Sequence, residues 1–542
     1  AAIIGREFDR DLLVELSVNN ETTVDAVLER LLEEGILEMA RKASSDQSRY
    51  RFSHALIHEA AYSSQLRRKR RRSHLAVTQA LEAKGESNHQ LLAHHFELAG
   101  RPNEAMQNWR TAALYSLMQS HNAEAIALYD RALQLLEQIS AAERDRVFEV
   151  HILIEQGLAY IAQMGFAAPQ VQRVYDRAEK IGRALGPSLD MMRALWGTWL
   201  YYLVSGNLKR ARSLAEEMFE LANTLGSDNL KVEALWALGD TEFWMADIAL
   251  AEQHLNLAIE LYDKLGADSF KDHLLLFGQD PKVAALCYVG YLKWTTGHLV
   301  ESRAASVASM RHAEIVDHPF TRGWAYCFGV NSFWWRNEYR AAIRFGPRFI
   351  NYSDEQDFRL WSPATQIGYG ASLASVARCQ ADLTTASTIA TEGLKGYVAT
   401  GALTVVPTAA LQIADSWIKA GDLEQARHWV DYSQNTAKKT GERISLLRSQ
   451  VYRARLMRAA GETDARTEKL LKKAIKEARA CGATMIAFEN AMELSELLEQ
   501  SGRASEASKL LGAALDALPE PLNHKSLRQA ARKLEVIGAA TA

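Results

Sequence analysis

The residues able to do chemistry are few and do not converge on a catalytic pattern. His54 and His58 stand four residues apart with Glu59 beside them, so a helix would place both imidazoles on one face. A zinc site generally takes three or more protein ligands. The run His58-Glu59-Ala60-Ala61-Tyr62 ends in Tyr where the zinc-protease pattern needs a second His. His94 and His95 are adjacent and lack helical spacing. No metal site is expected. The cysteines Cys287, Cys327, Cys379 and Cys481 form no Cys-x-x-Cys pair, and all four fall in helical-looking stretches, which reads as reduced, buried thiols. The chain contains no G-x-x-x-x-G-K-[S/T] phosphate loop, no G-x-S-x-G elbow and no cyclase metal-carboxylate signature. The expectation is therefore no catalytic residue, no resident cofactor and no enzyme in this chain.

What stands out instead is aromatic. Nine of the twelve tryptophans lie between Trp196 and Trp361. In a helix-pair frame, Trp196, Trp236, Phe243, Trp244, Tyr291, Trp294, Tyr326, Phe333 and Trp334 fall on the first helix of each pair. Asp240, Asn331 and Arg336 lie close by in sequence. Stacked first helices would bring these side chains into one concave groove fit for a protein partner or a small effector. The competing reading is that the rings fill the seams between helices.

The elements that must position this stripe show best in Ala234–Gly266, read as two helices and a turn at Ala246. Small residues at Gly239, Ala251 and Ala258 allow close approach, and Leu235, Leu238, Leu255 and Leu261 fill the seam. One such hairpin cannot bury its apolar face alone and needs neighbours. They follow. A turn residue recurs with a small residue five positions on: Gly100 with Ala105, Ser120 with Ala125, Gly206 with Ala211, Gly297 with Ser302, Arg336 with Ala341, Ala381 with Ala386, Gly421 with Ala426, Gly502 with Ala507. From Gly206 the turns come at about 40-residue intervals, and Gly186, Gly226, Gly266, Gly441 and Gly482 stop the second helices. The fold class read from this is all-α: a tetratricopeptide-like superhelical solenoid over 86–520, of about ten helix pairs, with a C-terminal helix and tail over 521–542.

Residues 1–85 read differently. Arg6–Leu16 and a second helix capped at Thr22 or Thr23 and ended by Gly35 precede two extended runs, Ile36–Met39 and Tyr50–Phe52, around a polar turn from Arg41 to Ser48. Helix, helix, hairpin is a winged-helix pattern, followed by helices over His54–Ser64 and Arg67–Lys84. The charge run Arg67-Arg68-Lys69-Arg70-Arg71-Arg72 sits after the wing, and the second helix carries Asp25, Glu29, Glu33 and Glu34, which would repel phosphate. The run reads as a solvated face or a dock for an acidic neighbour rather than a duplex contact. A formal net charge of −3 on 542 residues adds no pull toward nucleic acid or anionic membrane. No apolar run reaches the length of a membrane span. The location expected is cytoplasmic, and the oligomeric state is not legible.

The Leu-Gly pair at 238–239, Tyr288-Val289-Gly290, Ala504–Ala507 and Pro519 resemble the tetratricopeptide signature. The stretched repeats are similar to the sensor arm of maltose-activator (MalT-like) regulators. Ala1-Ala2-Ile3-Ile4-Gly5-Arg6-Glu7-Phe8, together with Tyr50-Arg51-Phe52-Ser53-His54-Ala55-Leu56-Ile57-His58-Glu59, resembles the winged-helix segment of bacterial signal-transducing (STAND-type) ATPases. Such segments accompany class III cyclase and LuxR-type regulators. The resemblance implies an upstream nucleotide-binding domain as neighbour, with ATP or ADP bound there and none in this chain. It also places His54 where a Met-His-Asp motif meets the ADP phosphate, with Met and Asp replaced here. The function implied is a non-catalytic sensor arm; the alternatives are a free-standing scaffold or a winged-helix DNA binder.

Overall fold

The computed structural model describes residues 1–40, 49–461, 465–519 and 525–541. The expected polar turn over 41–48 lies outside them. The chain divides into two compact units, Ala1–Ile152 and Leu153–Ala542.

In the first unit, β1 (Glu7–Asp9), β2 (Leu37–Met39) and β3 (Arg49–Phe52) form an antiparallel sheet in the order β1-β3-β2. The register pairs Glu7 with Arg51 and Leu37 with Phe52. Alternation turns Phe8, Leu37 and Phe52 inward, against Val24 and Leu28. It turns Arg51 outward toward Glu38 and Glu7, and Arg49 toward Asp9, so opposite charges match the strands. Phe8 thus sits on a strand, where the sequence suggested a helix from Arg6; α1 begins at Arg10 (Arg10–Leu16). α2 (Glu21–Glu33) is capped by Asn20, whose side chain accepts from Thr23 N–H at 3.0 Å, rather than by a threonine. α3 (Ala55–Ser63), α4 (Arg67–Ala83), α5 (His89–Ala99), α6 (Pro102–Met118) and α7 (Asn122–Glu137) follow. α8 (Arg146–Met164) runs across the boundary between units.

The second unit continues as helix pairs: α9 (Pro169–Leu185); α10 (Leu189–Val204) with α11 (Leu208–Leu225); α12 (Asp228–Trp244) with α13 (Ile248–Leu265). A short α14 (His273–Phe277) intervenes. Then come α15 (Pro281–Thr296) with α16 (Leu299–Val316), α17 (Pro319–Trp335) with α18 (Tyr339–Glu355), and α19 (Trp361–Val376) with α20 (Gln380–Ala399). α21 (Val406–Ala420) pairs with α22 (Leu423–Thr440), α23 (Ile444–Ala459) with α24 (Ala465–Ala480), α25 (Thr484–Gln500) with α26 (Ala504–Asp516), and α27 (Lys525–Thr541) closes the chain.

The α12–α13 seam forms as expected. Ala251, Leu255 and Ala258 are buried, and a Cβ on Gly239 would stand 2.6 Å from Leu255 Cγ. Tyr262, not Leu261, takes the last buried seat. Ser120 and Ala246 adopt the left-handed turn conformation at φ 61° and 62°. Ala381 lies inside α20, so that turn falls at 377–379. The interval between Ala246 and Gly297 is wider than the others because α14 and a 3-10 turn, Ala267–Phe270, are inserted there. Arg193 Nε donates to Leu276 O at 3.0 Å, and Phe277 meets the Trp196 ring, which pins the insert to α10. Two of the four cysteines, Cys287 and Cys327, are buried helix residues; Cys379 is exposed at the cap of α20 and Cys481 is half-buried after α24.

Helices far apart in sequence also meet. Leu403 N–H and Arg443 N–H donate to Val204 O and Trp244 O, each at 2.8 Å. The Thr404 hydroxyl donates to Leu203 O, 201 residues away. Gly206 fits here because a side chain would collide with Thr440. Within the second unit the helix pairs therefore wind back on themselves and enclose an interior.

Candidate functional site

The first helices do collect the aromatic stripe, but as interior. Trp199 and Trp236 meet edge to face at 4.9 Å, and Trp324 and Trp361 pack at 5.3 Å around Phe166. A second knot stacks Tyr291 on Trp335 at 4.6 Å, with Trp294 and Phe328 against them. Trp196, Trp236, Asp240, Phe243, Trp244, Tyr291, Trp294, Tyr326, Phe333 and Trp334 are all buried. The open groove expected for them is corrected: rings this bulky fill the space that the returning helices enclose. Arg336 is buried too, with Nη1 donating to Ser302 Oγ and Ser306 Oγ at 3.1 Å, and Asn331 Nδ2 donates to Ala364 O at 3.1 Å.

Asp240 is the chemically unusual member. Both carboxyl oxygens are buried without a hydrogen-bond partner among the described residues. Burial pushes the acid well above the usual carboxylate range, and the Tyr288 hydroxyl and Trp244 indole oppose this only in part.

The aromatic interior reaches solvent beside Arg448. A cleft of about 720 Å³ opens there, walled by Trp334, Tyr339, Ile418, Tyr452, Met485 and Phe488. The Arg448 guanidinium lies 4.6 Å from the Trp294 ring and 5.3 Å from Trp334, inside the cation–π range. Its Nε and Nη2 donate to the two oxygens of Glu489, each at 2.8 Å, the bidentate geometry that suits Arg. Asp415 accepts from Lys419 at 2.6 Å and from Arg455 at 3.3 Å. Glu493 joins Arg455 and Arg458 behind it. Burial raises Asp415, but Lys419 and Arg455 outweigh it and hold the carboxyl below its usual range. Trp334 Nε1 is buried without a hydrogen-bond partner among the described residues. The cleft thus combines flat aromatic walls, an apolar floor and prepositioned charges, which can seat a side chain or a short peptide but hold no nucleophile–base pair.

Sequence reasoning passed over these charges. The usable signal is their repeat spacing. Asp415 and Lys419, Arg448, Tyr452 and Arg455, and Glu489 and Glu493 are i, i+4 or i, i+7 sets. They sit on α21, α23 and α25, the first helices of consecutive pairs.

His54 is exposed at the start of α3 and makes no side-chain cap hydrogen bond. His58 Nε2 lies 3.0 Å from Ala2 O. His95 is buried against His74, Nδ1 to Nδ1 at 2.9 Å, while the Tyr62 hydroxyl lies 3.0 Å from His74 Nε2. Burial lowers both His74 and His95 to about 4, so both are neutral near pH 7. Among the described residues no three His, Cys, Asp or Glu side chains could hold a metal, and no helix is long and apolar enough to cross a membrane.

No family model matches the chain. It is 22% identical over 493 residues to an uncharacterised protein of Rhizobium meliloti (strain 1021), covering 90% of this chain and 47% of that one. The chain spans about half the length of the curated relative it matches. Among solved structures it is similar to a Rap protein complexed with competence and sporulation factor, at 12% identity and a TM-score of 0.49, over 70% of this chain and 99% of the other. A STAND protein with a tetratricopeptide repeat sensor from Pyrococcus horikoshii aligns at 11% identity and a TM-score of 0.45, over 82% and 64%. Yeast Tom70 aligns at 12% identity and a TM-score of 0.33, over 87% and 96%.

Proposed function

We propose that the chain is a non-catalytic sensor and interaction arm that binds a protein partner or small effector at the Arg448 cleft. The observation that carries this is the cleft itself. There the aromatic interior meets solvent beside Lys419, Arg448 and Arg455, and the buried Trp334 indole N–H has no hydrogen-bond partner among the described residues. A free-standing interaction scaffold is the second reading, and it uses the same cleft.

Assignment to a signal-transducing ATPase rests on the sequence resemblance. The strand order β1-β3-β2 with α1 and α2 ahead of the β2–β3 hairpin supports a winged helix in that role. The residues present do not by themselves fit a nucleotide. His54 is one exposed imidazole, and the chain holds no glycine-rich phosphate loop to accompany it. ATP or ADP would belong to an upstream core.

The test is selection from a random peptide library on the immobilised chain, followed by titration of the enriched peptides against wild type and the Lys419→Glu/Arg455→Glu variant. Enriched peptides should lose affinity for the variant. Equal binding to both, or no enrichment, overturns the proposal.

A further inference from the structure

The basic run opens α4, where a helix least favours it. Arg67, Arg68, Lys69, Arg71 and Arg72 are exposed, and none makes an ion pair with a carboxylate among the described residues. The first turn contains no acidic residue, and Leu66, the cap residue, supplies no side-chain hydrogen bond. The partial positive charge of a helix N-terminus repels Arg67, Arg68 and Lys69, the three cations of the first turn among these. Arg68, Lys69 and Arg72 fall within about 100° of one another around the helix axis. That face lies opposite His74, Val77 and Leu81, which are buried. Arg70, on the same side as these buried residues, lies over the Tyr62 ring at 4.8 Å and anchors the turn. Leu66, immediately ahead of the run, is 79% exposed. The basic helix α24 differs, since its Lys472 and Lys473 are paired to Glu468 and Glu477.

We propose that this face of α4 is a docking surface for an acidic protein segment carrying an apolar residue, with Arg68, Lys69 and Arg72 meeting its carboxylates and Leu66 its apolar side chain. The surface is separate from the Arg448 cleft and does not depend on it. Unpaired cations kept where they destabilise their own helix fit an anionic partner. The exposed Leu66 adds a contact that a phosphate backbone would leave unused. In the same unit Glu29 and Glu33 of α2 and Glu34 at its C-cap are exposed and disfavour a nucleic-acid duplex.

The probe is a fluorescent peptide of repeated Glu-Glu-Leu triplets, titrated into the full chain beside a Gln-Gln-Leu peptide, a Glu-Glu-Ser peptide, a 20-base-pair DNA duplex and phosphatidylserine vesicles. The Glu-Glu-Leu peptide should bind best. The variant Arg68→Glu/Lys69→Glu/Arg72→Glu should weaken it by roughly tenfold or more. The same variant should raise the melting temperature, because acids at this position favour the helix. Reversing Lys469, Lys472 and Lys473 on α24 should leave peptide binding unchanged. Tighter binding to duplex or vesicles, or equal peptide binding by both reversals, overturns the proposal.

Discussion

Glu442 gives a pH prediction whose sign and size follow from its surroundings. The residue is fully buried just ahead of α23. Its Oε1 accepts from Ser445 N–H at 2.8 Å, and its Oε2 has no partner among the described residues. Burial pushes the carboxyl up to about 8, with the Ser445 and Ile444 amides pulling only partly the other way. The unfolded chain releases this proton near 4.5, so between that pH and about 8 the folded state holds a proton the unfolded state lacks. Stability must therefore fall as pH rises through this window. At about 1.4 kcal/mol per pH unit, the full penalty reaches roughly 5 kcal/mol above pH 8. Glu442→Gln keeps the Oε1 acceptor and removes the titration. Its midpoint of unfolding in urea should match wild type at pH 5 and exceed it progressively to pH 9. Arg443, the next residue, donates to Trp244 O, so backbone amide exchange there should slow in the variant at high pH. A difference between the two proteins that stays flat from pH 5 to 9 would refute the reasoning.

The histidine pair predicts the opposite slope in the first unit. His74 and His95 are held near 4 against about 6.5 unfolded. Stability is complete above 6.5 and declines as pH falls toward 4, and hydrogen exchange of α4 and α5 amides should quicken across that window in wild type and less in His95→Gln. Gly370→Ala should destabilise more than Gly239→Ala. A Cβ at 370 would stand 2.6 Å from Ala390 N and 2.8 Å from Ala386 O, whereas at 239 the nearest atom is a leucine side-chain carbon. Overpacking costs of about 1–3 kcal/mol apply to the latter, and unfolding midpoints decide the order. Arg448→Met leaves the half-buried Glu489 without its bidentate partner and should cost roughly 1–3 kcal/mol. Adding Glu489→Gln should recover part of that loss in the same melting assay.

The seams were legible in the sequence because they are local. Gly239 and Ala251 stand within one hairpin, and their small size is itself the signal. The turns at Ser120 and Ala246 were legible from spacing although neither is glycine. β1 was not, because three residues around Phe8 become a strand only by pairing with Arg49–Arg51, some forty residues on. The closure between Leu203 and Thr404 is likewise invisible to any local pattern, and it is what turns the aromatic stripe from groove into core. The site shifted with it. The rings at 294 and 334 were legible as important, while the charges that open them to solvent come from α21, α23 and α25 and show only as a repeat-spaced charge pattern.

The account stands most directly on where a ligand seats. Hydrogen–deuterium exchange of the full chain, with and without a peptide selected on it, should show protection confined to the end of α17, the first turn of α18 at Tyr339, the last turn of α21 around Lys419, and the facing stretches of α23 and α25. Protection confined to the second helices α16 and α22, with these segments unchanged, would contradict it.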